Sequence, residues 1–342
     1  MIRSKLRFCL TLLSLLAASA AAASERTRLT VYTAIEPEQI TLIGEAIAKA
    51  LPDIELVWMR DSTGAVTDRL IAEAEAPRAD LAYGIGASHL ILLKRRGLLA
   101  PYRPKDVERL RAFFRDPSEP YAWTGMDAYL GAICFNTEAA ANERVAKPVF
   151  WRDLLAPAFS GRIVMPDPNV SGTGMLLVGG WLQSMGEAKG WAFMDALDRN
   201  VSAYLPSGST PCREAARGAA LAGLSFDMRA ATEKGKGAAI DIIVPLDGVG
   251  WEEEAVAILA SSPHGRAAER VADWAASREA NEIYAKSFAI VAYPGVANPS
   301  ALYPQHAEAR MIRNDLAWMA DNRERILREW TRRYGAKTRP KP

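Results

Sequence analysis

The chain is expected to fold as an α/β protein of two lobes, each a mixed sheet flanked by helices, with a cleft between them. Three observations predict this. Buried-strand and helix patterns alternate from Leu29 to Gly97, and a second such run occupies Gly161 to Leu259. The long apolar stretch Met126 to Asn136 links the two runs, and Ile240 to Val244 and Val256 to Leu259 bring the chain back.

In the first run, Leu29 to Thr33 reads as a buried strand, and Glu36-Pro37 starts a helix whose apolar stripe is Ile40, Ile43, Ile47 and Leu51. Ile54 to Trp58 is the next strand, and Asp61-Ser62-Thr63-Gly64 is a loop and cap for a helix carrying Val66, Leu70 and Ile71. Asp80 to Tyr83 is a third strand, with Gly84 and Gly86 turning into a helix that stops at Gly97. In the second run, strands are expected at Gly161 to Met165, Val201 to Tyr204 and Gly223 to Asp227. Helices are expected at Thr173 to Met185, Lys189 to Leu197 and Pro211 to Arg217. Ala267 to Trp274, Glu279 to Ala285 and a long final stretch, Glu308 to Tyr334, complete the helices. The division that results is 1–23 as an export signal, 27–125 plus 251–301 as lobe one, 126–250 plus 302–336 as lobe two, and 337–342 as a flexible tail.

The export signal rests on Arg3, Lys5 and Arg7, the apolar stretch Leu10 to Ala18, and the small residues Ala20 to Ala23. The apolar stretch is short for a membrane span, and Leu6-Arg7-Phe8 before Cys9 is not a lipoprotein signature. A soluble periplasmic protein, monomeric and with no nucleic-acid partner, is expected. The formal charge of +2 falls to −1 when the three signal cations are removed (2 − 3 = −1), so the basic balance says little about nucleic acid. Arginines and lysines from Arg323 onward read as a solvated helix face and a frayed end. The remaining cysteines, Cys134 and Cys212, allow one disulfide in an oxidising compartment or two buried thiols.

Chemistry is conspicuous by what is missing. His89, His264 and His306 stand far apart, and no His-x-x-x-His, Cys-x-x-Cys or Gly-x-Ser-x-Gly spacing occurs. Gly84-Ile85-Gly86 lacks the third glycine of a dinucleotide fingerprint, and Glu252-Glu253 reads as an exposed acidic pair. No cofactor, no metal and no enzymatic activity are expected. What stands out instead is Ser171-Gly172-Thr173-Gly174 at a helix start and Ser207-Gly208-Ser209 before another. Free N–H groups and the partial positive charge of a helix start suit a phosphate, phosphonate or sulfate. The small polar loops Thr33 to Glu36, Asp61 to Gly64 and Gly84 to Ser88 fall at the carboxyl ends of strands, where open α/β sheets bind ligands.

Taken in order, Val31 to Ala34, Arg60 to Gly64, Gly125 to Ala128, Ala132 to Thr137, Val164 to Pro168, Ser171 to Gly174, Ser207 to Ser209, Pro211-Cys212, Ser225 to Asp227 and Ala272 to Ser277 resemble the periplasmic solute-binding proteins of ABC importers. The group is the one that includes ferric-iron binders, and the resemblance is closer to the 2-aminoethylphosphonate-binding proteins. It implies two lobes closing over a ligand by hinge motion, capture of 2-aminoethylphosphonate, and delivery to an ABC transporter permease. Iron-binding relatives grip the metal with two adjacent tyrosines where this chain has Ser225-Phe226, neither a good ferric ligand. That departure argues against iron.

A zwitterionic aminophosphonate needs donors at one end and carboxylates at the other. The anionic head is assigned to Ser171, Gly172, Thr173, Ser207 and Ser209, and Thr33, Ala34, Ser62, Thr63, Gly208 and Ser225 are expected to contact the ligand as well. The ammonium is assigned to two of Glu36, Asp61, Asp127 and Asp227, walled by Trp123, Tyr129 or Phe226. Local alternatives exist for several of these: Ser171 and Asp61 as helix caps, Glu36 as complement to a helix start, and Asp227 as a partner of Arg229. Rival functions are another small phosphorus-containing or cationic solute, a ferric anion, or an exported phosphoesterase. The last lacks an evident nucleophile and base.

Overall fold

The computed structural model describes residues 26–340 apart from 289, 299 and 305, so the expected export signal lies outside the described residues. The elements, in chain order, are β1 (Thr27–Thr33), α1 (Pro37–Ala50), β2 (Ile54–Arg60), α2 (Thr63–Ala72), β3 (Leu81–Gly86), α3 (Ala87–Arg95), β4 (Trp123–Asn136), α4 (Thr137–Glu143), β5 (Ile163–Pro166), α5 (Gly172–Met185), α6 (Glu187–Asp198), β6 (Val201–Leu205), α7 (Thr210–Ala216), β7 (Ala222–Phe226), α8 (Asp227–Gly235), β8 (Ile240–Ile243), β9 (Trp251–Ile258), α9 (Gly265–Ala275), α10 (Arg278–Tyr284), β10 (Ile290–Val291) and α11 (Leu316–Tyr334).

The α/β architecture is the expected one. The strands run in the order β2-β1-β3-β9-β4-β7-β5-β6, with β8 and β10 also on β4. β1 is parallel to β2 and β3, as strand-helix-strand units require, and β5 is parallel to β6 and β7. β9 and β4 run antiparallel between these two groups. β4 is the seam: Trp123 to Leu130 pair with β9, whereas Gly131 to Phe135 pair with β7. Every residue of β4 is buried, because helices cover it in both halves, which is why it reads as one unbroken apolar run.

Several segments depart from the sequence reading. β3 runs through Gly84 and Gly86 instead of stopping at Tyr83. Gly84 has φ +67° and interrupts the β3–β9 register, and a Cβ there would strike the Ile35 side chain. β9 begins at Trp251, so Glu252 and Glu253, expected on an exposed loop, are buried sheet residues at 2% and 1% exposure. α8 starts directly at Asp227, where the sequence suggested only the end of a strand. Its polar composition hides it, since Arg229 is wholly buried by pairing rather than by packing. α11 begins at Leu316, capped by Asp315, eight residues later than the expected Glu308. It pairs Asp321 with Arg95 on α3 and lays Trp330 against Tyr204 on β6, touching both halves. The expected loose tail is tied down at its start, where Arg339 N–H donates to the Tyr204 carbonyl at 2.9 Å.

Cys134 on β4 and Cys212 on α7 form a disulfide. Both are fully buried. The bond fastens α7, and the loop before it, to the seam strand. Gly223 on β7 permits this approach, because a Cβ would collide with the Pro211 carbonyl.

Candidate functional site

The starts of several helices face one cavity. Its walls are Ala34 and Glu36 before α1, Arg60 at the end of β2, Ser62 and Thr63 at the start of α2, Tyr129 on β4, and Ser171, Gly172 and Thr173 at the start of α5. Ser207, Gly208 and Ser209 before α7, Phe226 and Met228 at the start of α8, and Glu254 on β9 complete it. Glu36, Ser62, Ser171 and Phe226 are the N-cap residues of α1, α2, α5 and α8. These helices have 14, 10, 14 and 9 residues. Each leaves first-turn N–H groups unpaired within the helix and adds partial positive charge at its start. Strands β1, β2 and β7 end here, so the cavity lies at the carboxyl edge of the parallel strands.

Local chemistry explains the placements. Ser171 is an extended N-cap whose Oγ accepts from Gly174 N at 3.3 Å. Gly174 has no room for a Cβ, which would lie 2.7 Å from Pro168 N. Ser207 Oγ accepts from Ser209 N at 3.2 Å, which folds the loop before α7 back on itself. Ser225 Oγ donates to the Gly208 carbonyl at 2.7 Å and supports that loop from behind.

The two halves meet around the cavity. Gly64 N–H donates to the Val170 carbonyl at 2.9 Å, and Ser62 Oγ to the Pro206 carbonyl at 3.3 Å. Ser209 Oγ donates to the Glu36 carboxylate. That carboxylate also lies 2.8 Å from Arg229, 3.3 Å from Arg60 and 3.6 Å from Arg213. Arg229 is held in turn by Glu233 at 3.0 Å. Glu36 is therefore already neutralised from both sides. Behind the anion-facing wall lie acids without such partners. Glu254 is pushed up to about 8 by burial, by nearby Glu36 and despite Arg60. Burial first, and Glu254 next, hold Asp127 well above the usual carboxylate range. The void contains about 430 Å³, of which about 40 Å³ admits the centre of a water-sized molecule.

Of the residues assigned from sequence, Ala34, Glu36, Ser62, Thr63, Tyr129, Ser171, Gly172, Thr173, Ser207, Gly208, Ser209 and Phe226 come together in this cavity. Thr33, Asp61, Trp123, Asp127, Ser225 and Asp227 do not line it. Thr33 is buried beneath the wall, its Oγ1 accepting from Ile35 N at 3.2 Å. Asp61 Oδ1 accepts from Ser62 N at 2.8 Å, a local turn. Trp123 packs in a separate apolar cluster with Leu90 and Leu93, because it opens the half of β4 remote from the seam. Asp227 accepts from Leu130 N at 3.0 Å and tops α8 rather than pairing with Arg229. Asp127 points into a smaller void beyond Glu254. Arg60, Met228 and Glu254 were not assigned from sequence. Arg60 had a signal, since it ends a strand immediately before Asp61-Ser62-Thr63-Gly64; Glu254 needed Trp251–Ile258 to be recognised as one strand.

Among the described residues no group of three or more His, Cys, Asp or Glu is arranged to hold a metal ion, and no helix is long and apolar enough to cross a membrane. Two α/β halves, a shared seam and a polar cavity between them define a solute-binding protein. The chain belongs to the bacterial extracellular solute-binding protein family, whose model matches residues 77–322. It is 31% identical over 267 residues to an uncharacterized protein of Haemophilus influenzae, covering 76% of each chain. It is 30% identical over 196 residues to a probable ABC transporter periplasmic-binding protein of Sinorhizobium fredii, covering 56% of this chain and 53% of the relative. Among solved structures it is similar to the periplasmic binding protein AfuA of Actinobacillus pleuropneumoniae, with exogenous fructose-6-phosphate bound. That likeness has a TM-score of 0.85 and 27% identity over 90% of this chain and 99% of that one. The family and fold are those of periplasmic binding proteins, which take a small-molecule ligand to an ABC transporter and are not enzymes.

Proposed function

We propose that this protein captures a small solute carrying a phosphate or phosphonate group, with 2-aminoethylphosphonate the first candidate, and hands it to an ABC permease. The observation that carries the reading is the convergence of four helix N-caps and the Ser207–Ser209 loop on one cavity. Hydrogen bonds to a charged oxygen contribute about 1.5–3 kcal/mol each. A handful of them from Ser171, Thr173, Ser207 and first-turn N–H groups offsets ordering and desolvation and supports micromolar binding or tighter. The amine is read into the opposite wall, against Glu254 and the rings of Tyr129 and Phe226, which stand 5.4 Å apart. A ring face attracts an ammonium. As folded, the cavity seats only a few waters at about 10–15 Å³ each, so the solute enters by parting of the halves.

A phosphorylated sugar is the second reading. The fructose-6-phosphate named for the AfuA structure supports it. So does the full set of arginine partners on Glu36, which leaves Glu254 as the one uncommitted carboxylate on the cavity wall. Calorimetric titration of the refolded, ligand-free mature protein with 2-aminoethylphosphonate, methylphosphonate, phosphate and fructose-6-phosphate separates them. Tight one-to-one binding that needs both phosphonate and amine supports the first reading. Preference for the sugar phosphate selects the second, and silence toward all four removes the phosphorus group from the proposal.

A further inference from the structure

Asp127 and Glu254 are direct partners in the antiparallel pairing of β4 with β9, immediately after a register shift at Gly125. Directly opposed residues of a sheet pair bring their Cβ atoms within about 4.5–5.5 Å, and like charges there are destabilising. Asp127 is 0% exposed, and neither of its carboxylate oxygens has a hydrogen-bond partner among the described residues. Glu254 is only half-buried as a residue, yet its Oε2 is equally shut off and unpartnered. Both acids line a second void, about 220 Å³ overall and with about 10 Å³ open to the centre of a water. Glu254 belongs to both voids, so it forms the wall between this one and the solute cavity.

The surroundings supply no counter-charge for Asp127. Tyr83 from β3 and Tyr284 from α10 bond to each other at 2.5 Å across the sheet and stand near it, with Tyr303 beyond. Glu253 on β9 and Asp227 on α8 add negative charge from their own elements. Gln39 of α1 is neutral, and its Oε1 accepts from Glu36 N at 2.9 Å. Among the described residues the cation that bears on Glu254 is Arg60 of β2, which Glu36 holds at 3.3 Å, and no third ligating side chain joins the pair into a metal site. A proton is the charge that this geometry admits.

The pair also sits where movement between the halves is felt. β4 carries Asp127 in the part that pairs with β9 and continues, four residues on, into the part that pairs with β7. Glu254 is the first β9 residue to pair with β3 as well. We propose that closure of the two halves takes up a proton from solvent onto the Asp127–Glu254 pair, and that opening releases it, so acid favours the closed receptor whatever solute it carries. In the closed form Glu254 holds its proton up to about pH 8. Opening admits water to the cavity that Glu254 lines, where this acid ionises nearer its ordinary value of about 4. Between those values the closed form binds a proton that the open form does not, and raising the pH shifts the balance toward opening.

Small-angle X-ray scattering of the refolded, ligand-free mature protein at about pH 5.5 and about pH 9, on either side of that value, reads the balance without any ligand. The radius of gyration is expected to rise at the higher pH in the wild type. It is expected to stay at its low-pH value in Asp127→Asn/Glu254→Gln, whose amides keep the shape and cannot ionise. Circular dichroism at both pH values checks that each protein is folded, and Glu254→Gln alone, with a reduced expansion, replaces the double variant if that one does not fold. A wild type that does not expand, or a variant that expands as much as the wild type, overturns the proposal. Neither result depends on which solute the cavity takes.

Discussion

The two walls of the site are built on opposite principles. On one side, Ser171, Thr173, Ser62 and the Ser207–Ser209 loop sit at helix starts; Ser171 is partnered with Gly174 three residues on and Ser207 with Ser209 two residues on, while Ser62 and Ser209 reach across the cavity to the Pro206 carbonyl and the Glu36 carboxylate. On the other, Glu254 meets Asp127 from a strand more than a hundred residues away, and both Asp127 oxygens and Oε2 of Glu254 go unpartnered among the described residues. The hydroxyl wall is held in place by local turns and cross-cavity bonds before any solute arrives, which suits the proposed anion. The acidic wall is unsatisfied, and burial makes its state depend on solvent protons. On the proposed reading, stable capture and adjustable capture are thus placed on facing walls of one cavity.

The largest effect is expected from breaking the hydroxyl wall. Ser171→Ala with Thr173→Ala removes two donors to a charged oxygen and is expected to weaken every phosphorus ligand about 100-fold or more; calorimetry showing unchanged affinity would move the anion elsewhere. Next comes the strut behind that wall. Replacing Cys134 and Cys212 by serine opens a link spanning 78 residues. It is expected to cost about 2–5 kcal/mol of stability in denaturant titrations, with a smaller loss of affinity.

The acidic side gives the sharper contrasts. Asp227→Ala leaves the Leu130 N–H without its acceptor, and an unmet buried donor costs about 1–3 kcal/mol. Aminophosphonate and phosphate affinities should then fall together. A selective loss of the amine ligand would restore Asp227 to the amine's partners. Above about pH 8, where Glu254 is ionised, Glu254→Gln should instead narrow the preference for 2-aminoethylphosphonate over methylphosphonate by about 10-fold, one charged hydrogen bond. The pH profile of stability is a further test. Glu254 at about 8, and Asp227 and Glu252 at about 7, lie above their unfolded value of about 4. Their contribution is complete below the unfolded value and is lost as pH rises through the folded ones, so the melting temperature should drop from about pH 5 to about pH 8. A flat profile would mean that these acids are hydrated in the fold. The smallest change is expected for Asp61→Asn, within about threefold, since Asp61 Oδ1 accepts from the neighbouring Ser62 N and its side chain does not line the cavity.

Alternating strand and helix periods, Pro37 at a helix start and the Ser-Gly-Thr-Gly turn were legible because they are local: a few neighbouring residues determine them. Twelve of the cavity's residues were legible too, eleven of them clustered at strand ends and helix caps in four short stretches and Phe226, with Tyr129 on the long apolar strand. Where local and long-range signals conflicted, the sequence misled. The paired glutamates Glu252 and Glu253 looked exposed, α8 had no apolar stripe to announce it, and Asp227 had an arginine two residues on that turned instead to Glu36.

By itself, then, the sequence determined the α/β class, the order of most elements and the hydroxyl-rich helix starts, since these rest on periodicity and capping within a turn or two of chain. Only the tertiary structure decided that Cys134 and Cys212 join, that Glu36 is shared among three arginines, and that Asp127 and Glu254 face each other. Those pairings depend on sheet register and on which half a helix packs against, and register is a property of two strands at once.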